Sequence, residues 1–308
     1  MDSVPELVRD NVRRSVAELK SAELYSLCME GHWQRSANAL DAFKNAFAPT
    51  HSSYDNLSEL RFLDVGCGEG SFTLRHLLPR CQDQCCKLVA VDNSAAMLDY
   101  AKSHNASEKI DYIHFDILEG DVDGFLKKHG PFARVYTFNL LHWIKDKVRA
   151  MKNIEKLTAP GGECFVVFEN CIPMFDVFRT LAESVRWEKY AEVLLHKVPA
   201  TAGFTDMNLM RSHLEHVMKK TGLKTLTCEV LRSPAVSITD LNAATGLIAS
   251  YNPIYAHLCA EDKQQLIKST ADILADRAQG IAEGTISNHQ FTYVVHAYKP
   301  ALLPTSSA

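Results

Sequence analysis

The residues best spaced for chemistry lie in one run, Asp64-Val65-Gly66-Cys67-Gly68-Glu69-Gly70-Ser71. Its glycines follow an apolar stretch, 61–65, that reads as a buried strand, and precede a helical pattern over 70–78. A strand-to-helix turn is where doubly wound sheets admit a cofactor. Glycine supplies unusual φ angles there and lets a ligand approach bare backbone. A dinucleotide fingerprint requires Gly-x-Gly-x-x-Gly, so that a pyrophosphate rests on the helix N-terminus; here the sixth position is Ser71 and a glycine comes one residue early. A phosphate-binding loop would need Gly-Lys-Ser/Thr, which is absent. The run favours a nucleoside cofactor without pyrophosphate, of which S-adenosyl-L-methionine is the common one, its methionine part lying across the glycines. A nicotinamide dinucleotide is the disfavoured alternative.

Two acids extend the pattern. Asp92 ends a second strand, 87–91, where a carboxylate can accept both hydroxyls of a ribose. Asp116 ends a third, 110–115, where it could accept from an adenine amino group while Ile117 offers its backbone N–H. Each alone is equally a helix N-cap. Their coincidence with the glycine turn on three consecutive strand ends is the informative point. Asp64, Cys67, Asn93 and Asn139 complete the expected cofactor set.

The elements that must position these residues alternate. Strands at 61–65, 87–91, 110–115, 133–138 and 163–168 are interleaved with helices at 70–78, 94–104 and 147–157, which predicts a parallel sheet covered on both faces. Before it, Val8, Val12, Val16 and Leu19 form one helical stripe and Leu40, Phe43 and Phe47 another, joined to the first strand by a polar connector, 48–59. After it come helical patterns at 174–196, 208–220, 238–250 and 261–279 and strands at 223–231 and 291–298.

Composition narrows the class. With 308 residues, 46% apolar and 23% charged, the chain reads as an ordinary globular protein, and a net charge of −4 offers no basic field for nucleic acid. Nine cysteines without framework spacing favour reduced thiols and a cytoplasmic setting. No leader and no membrane span are expected. No metal is expected either: His76, Cys81, Cys85 and Cys86 match no zinc spacing, and Asp121-Val122-Asp123 lacks the other ligands of a calcium loop.

The order of features resembles the class I S-adenosylmethionine-dependent methyltransferases over about 61–170, from Leu63-Asp64-Val65-Gly66-Cys67-Gly68-Glu69-Gly70 through Asp92 and Asp116-Ile117 to Leu157-Thr158-Ala159-Pro160-Gly161-Gly162. Within them, 138–146 (Phe-Asn-Leu-Leu-His-Trp-Ile-Lys-Asp), 173–178 (Pro-Met-Phe-Asp-Val-Phe), Glu23-Leu24-Tyr25 and Gln34-Arg35 are similar to the juvenile hormone acid methyltransferases. The resemblance implies an α/β, Rossmann-like, doubly wound seven-stranded sheet, mostly parallel with the last strand antiparallel. It implies an N-terminal helical segment, 1–60, covering the active site, a methyltransferase domain, 61–300, with helical cap insertions at 171–205 and 234–289, and a flexible tail, 301–308. The implied reaction is methylation of the carboxylate of a lipophilic acid such as farnesoic or juvenile hormone acid. Gln34 and Trp143 would hold that acid, with His142 as a third donor. The insertions, carrying Ile172, Met174, Phe175, Phe178 and Trp187 and then Leu247, Ile248, Tyr251, Ile254, Tyr255 and Leu258, would form an apolar substrate cavity. A homodimer is implied too. A carboxylic acid is ionised at pH 7, so no general base is required. A polar small acid or amine of the aconitate type remains an alternative acceptor, and a non-catalytic cofactor-binding module an alternative of another class.

Overall fold

The computed structural model describes residues 21–48, 60–81, 87–170, 172–234, 240–284, 286 and 289–301. The stripe from Val8 to Leu19, most of the connector, Cys85, Cys86 and the tail from 302 lie outside them. Seven strands form one sheet: β1 Arg61–Val65, β2 Lys87–Asp92, β3 Ile110–His114, β4 Phe132–Phe138, β5 Thr158–Glu169, β6 Lys224–Pro234 and β7 His289–Tyr298, in the order β3-β2-β1-β4-β5-β7-β6. β1 pairs parallel with β2 and β4, β2 with β3, and β4 with β5. β7 runs antiparallel to β5, with Glu163 opposite Tyr298 and Glu169 opposite Thr292. The architecture is the one expected, including the antiparallel strand. Winding reverses between β1 and β4, so their carboxyl ends flank the crevice in which such sheets take ligands.

The strands form where apolar runs are continuous, because a central parallel strand is buried on both faces. All seven residues of β4 and four of the five in β1 are buried. Helices begin where a short polar side chain accepts an otherwise unmet amide. Ser94 Oγ takes Met97 N–H, Asp121 takes Gly124 N–H and Asp146 takes Arg149 N–H. Leu63, Val89, Val135 and Val166 of the sheet pack with Met151 and Ile154 of helix Lys147–Leu157 and with Met210 and Leu214 of helix Met207–Lys219.

The chain divides into two compact units. One is the sheet unit, 32–170, 204–231 and from 291 on; the other comprises the described residues of 1–31, 171–203 and 232–290. The first division falls between Gly31 and His32. The second unit is helical and has its own core, built on Phe175, Phe178, Trp187, Ile248, Ile254 and Leu274. Most of the apolar residues expected to line a substrate cavity are thus core side chains of that unit, packed on one another.

Several elements differ locally from expectation, among them helix Val122–His129 between β3 and β4, where none was expected. The helix at 70–78 is a π-helical turn, Thr73–Leu77, followed by Leu78–Cys81. Pro79 has no N–H, and its ring crowds the carbonyl four residues back. The pattern at 174–196 breaks into helix Pro173–Glu183, a 3-10 turn Glu188–Tyr190 and helix Ala191–His196. The break lets Trp187 turn inward, where its indole N–H meets Ser269 Oγ at 3.3 Å. β5 begins at Thr158, five residues early, with Gly161 at φ +77 where the register against β4 shifts. No helix among the described residues is long and apolar enough to cross a membrane.

Candidate cofactor and acceptor site

The glycine loop is locked to the end of β2 by its own amides. Gly66 and Cys67 N–H both donate to Val91 O (2.7 and 3.0 Å), Gly68 N–H to Asp92 Oδ2 (2.9 Å) and Gly70 N–H to Cys67 O (3.1 Å). Ser71 N–H, at the start of the following helix, donates to Glu69 Oε2 at 2.7 Å. The donors a pyrophosphate would need are therefore engaged, and a carboxylate already occupies the helix N-terminus. Two of the glycines are required by the protein itself. A Cβ at Gly66 (φ +80) would lie 2.9 Å from the Leu140 side chain, and one at Gly70 (φ +84) 2.6 Å from the Tyr112 hydroxyl. The Leu140 contact sets the segment after β4 beside the glycine turn.

What surrounds the loop is acidic. Asp64, buried in β1, accepts from Thr73 Oγ1 at 2.7 Å, and burial pushes its carboxyl up to about 7, the Thr73 bond offsetting part of the rise and the nearby Asp92 charge adding to it. Burial raises Asp92 as well, against the backbone amides of Ser94 and Gly68 on its two oxygens. Glu69 is buried and raised for the same reason, and its Oε1 has no hydrogen-bond partner among the described residues. Two buried acids and the half-buried Asp92, around a turn whose Gly66, Cys67, Gly68, Gly70 and Ser71 amides are engaged, suit a cationic nucleoside cofactor and repel a dianionic one. Those residues fit S-adenosylmethionine, whose sulfonium and ammonium exceed its one carboxylate. Each Asp92 oxygen keeps a lone pair for a ribose hydroxyl.

The neighbouring positions form a turn of their own. Asp116 Oδ1 accepts from Leu118 and Glu119 N–H and Oδ2 from Asn93 Nδ2 at 2.9 Å; burial raises its carboxyl, but these bonds outweigh it and hold it below the usual aspartate range. Ile117 is buried in the core, with its carbonyl on Asn153 Nδ2. Cys67 is buried, and burial keeps its thiol protonated, so it is no nucleophile.

Two expected outcomes arise here. Asp92→Ala should weaken cofactor affinity at least about tenfold, the scale of lost hydrogen bonds to a charged group; titration calorimetry giving wild-type affinity would remove it from the site. Asp64 is poised to report the cofactor's charge. Bringing a net cation to the loop favours its carboxylate form, so binding near pH 7 should release protons, seen as a calorimetric enthalpy that depends on the buffer and flattens in Asp64→Asn. Its titration also bears on stability. The folded carboxyl titrates above its unfolded value of ~3.9, so its contribution is full below that pH and lost as pH rises through about 7.

At the carboxyl end of β4, Asn139 adopts a left-handed φ of +54, which asparagine tolerates. Its N–H donates to Val167 O and its Nδ2 to Ser36 Oγ at 3.2 Å. His142 is buried, and burial brings its imidazole down to about 3, Glu169 opposing the shift and His32 and Lys147 adding to it; it is neutral at pH 7. Trp143, its ring 5.2 Å away, is 38% exposed. Gln34 is not brought to this group: it is exposed, and its amide nitrogen donates to Asn38 at 2.8 Å. Sequence reasoning missed Glu69, whose position two residues before Ser71 was the available signal. It also missed Glu169 at the end of β5, which pairs with His32 and Arg35; the 32, 35, 36 spacing on one helix face was the clue.

Residues 62–162 match the family described as methyltransferase domain. Over 195 residues, 63% of this chain, it is 30% identical to a juvenile hormone acid O-methyltransferase of Bombyx mori, and over 132 residues, 42% of the chain, 29% identical to that of Drosophila melanogaster. These alignments span 66% and 43% of the relatives' own lengths. Among solved structures, phosphoethanolamine N-methyltransferase 2 of Haemonchus contortus, in complex with S-adenosyl-L-methionine, superposes at a TM-score of 0.45 and 17% identity, covering 85% of this chain and 52% of the other. The protein carries a methyltransferase domain over 62–162, and it resembles the juvenile hormone acid O-methyltransferases.

Proposed function

We propose that the protein transfers a methyl group from S-adenosyl-L-methionine to the carboxylate of a lipophilic acid, giving a methyl ester. The methyl-donor half of this reading is carried by the loop, where the amides of Gly66, Cys67, Gly68, Gly70 and Ser71 are engaged and the acids Asp64, Glu69 and Asp92 suit a cation. Similarity to the Bombyx mori relative supports the acid as acceptor. Bound at the loop, the cofactor supplies an electrophilic methyl. Asp92 grips the ribose, while Asp116, Asn93 and Ile117 frame the adenine. The acceptor arrives already ionised, so the chain supplies position rather than a base, an effect that can reach roughly 7–11 kcal/mol. The Trp143 indole N–H and the neutral His142 imidazole are the donors for the oxygen that does not react.

The test incubates purified protein and methyl-labelled cofactor with isoprenoid, fatty and polycarboxylic acids and with amines. Base-labile labelled product on the isoprenoid or fatty acids supports the reading. Label on amines or polycarboxylates alone, or on nothing, overturns it.

A further inference from the structure

Helix Glu30–Phe43 buries Trp33, Ala37, Ala39 and Leu40 and, beside them, sets His32, Arg35 and Ser36 against the strand ends. His32 Nδ1 and Arg35 Nη1 approach the same oxygen, Oε1 of Glu169, at 2.7 and 2.5 Å. One position on, Ser36 meets Asn139. Gln34 and Asn38, on the other side of the helix, are exposed and bond each other. The helix therefore brings a histidine, an arginine and a serine to the carboxyl ends of β4 and β5.

Burial within this cluster is graded. The Glu169 side chain is 2% exposed, whereas those of His32 and Arg35 retain 13% and 16%. The carboxylate thus lies beneath and the donors above it. Burial alone would raise Glu169, but His32 and Arg35 more than cancel that and keep it ionised. An ionised carboxylate only accepts, so His32 Nδ1 carries a proton and the ring is fixed in orientation. A buried ion cluster is a weak device for stability, since apolar residues of similar volume often serve as well or better. Its site, at the ligand end of the sheet and beside His142, gives the charge another use. A carboxylate leaving water needs fixed donors, and the planar guanidinium matches its two oxygens.

We propose that His32 and Arg35, held in place by Glu169 as a positioning residue, form the subsite that reads the acceptor's carboxylate and sets the preference for an acid over a neutral molecule with the same chain. This rests on the carboxyl-methylation reading above.

The experiment uses farnesoic acid and farnesol as a probe pair, measuring the binding of each by calorimetry to protein loaded with S-adenosylhomocysteine, and the KM and kcat for the acid. Wild type should bind the acid at least tenfold more tightly than the alcohol. Arg35→Gln should raise KM for the acid at least tenfold and erase that preference, with alcohol and cofactor affinities within twofold of wild type, and Arg35→Lys should restore part of it. His32→Gln, whose amide mimics one ring nitrogen, should act in the same direction more weakly. Glu169→Gln should raise KM more than it lowers kcat; should that variant fail to fold, the two helix variants decide. If wild type methylates the acid and both Arg35→Gln and His32→Gln keep the wild-type acid-to-alcohol ratio, the subsite is wrong while the reaction stands. If wild type methylates no acid, the reaction falls and the subsite with it.

Discussion

Gly70→Ala is expected to lower stability by more than about 3 kcal/mol and to abolish measurable cofactor binding. A left-handed φ of +84 costs an L-residue roughly 1–2 kcal/mol by itself. The added Cβ would also fall 2.6 Å from the Tyr112 hydroxyl, 2.9 Å from Cζ of the same ring and 3.0 Å from Ala101 Cβ. Tyr112 cannot simply swing away, because its hydroxyl donates to Asn105 O at 2.9 Å. Asn105 in turn donates through Nδ2 to Glu69 O and Ser71 Oγ, so any shift reaches the cap of the following helix. Tyr112→Phe in the same chain removes the hydroxyl and should recover about 1 kcal/mol, leaving the φ penalty. Urea unfolding of the single and double variants, with calorimetric cofactor titration where each is folded, checks this. A Gly70→Ala midpoint equal to wild type would refute it.

How far the sheet could be read from the chain follows from what each signal reports. β1, β2 and β4 were legible because central parallel strands are continuous apolar runs, and two of the intervening helices because Ser94 and Asp146 announce their starts; helix Val122–His129, which Asp121 caps, was not read. The glycine turn was legible as a turn. Its reason was not: at Gly66 and Gly70 the space belongs to Leu140 and Tyr112, far away in sequence, and no local pattern names them. Trp187 likewise breaks an apparent long helix to reach a core made by segments at 173–182 and 244–274. Tertiary packing decided these features.

On the acceptor side the distinction was finer. Gln34 and Arg35 are one residue apart, which is about 100° around a helix, so deciding which of them meets the sheet requires knowing the helix's rotation. Resemblance pointed to Gln34, whereas the structure packs His32, Arg35 and Ser36 on the strand ends. Glu169 reads in sequence as the polar end of a strand. Its burial becomes intelligible only with its two donor partners, His32 and Arg35, in view.

A second buried cluster sits farther back on the same sheet, and Glu163→Gln is expected to cost about 3–5 kcal/mol there, the usual penalty for removing one partner of a buried ion pair. Both Glu163 oxygens accept Ala48 N–H, at 3.2 and 3.1 Å; Oε1 also accepts from His296 Nε2 at 3.0 Å, and Arg134 Nε lies 3.7 Å from Oε2. Every neighbour is a donor, so a glutamine must point its NH2 at one of them and withdraw the charge opposite Arg134. Phe47 and Phe62 soften that loss, their rings lying 4.8 and 5.2 Å from the guanidinium, but rings do not replace a carboxylate. Replacing Glu163 by leucine and Arg134 by methionine together should recover most of the stability, because it removes the charges instead of stranding one. Unfolding by urea measures both, and a Glu163→Gln chain within about 0.5 kcal/mol of wild type would show that the cluster carries no weight. Ala48 lies just beyond helix Glu30–Phe43, whose other end is held independently by Glu169 and Asn139. The cost should therefore appear in stability, with cofactor affinity under native conditions within twofold of wild type.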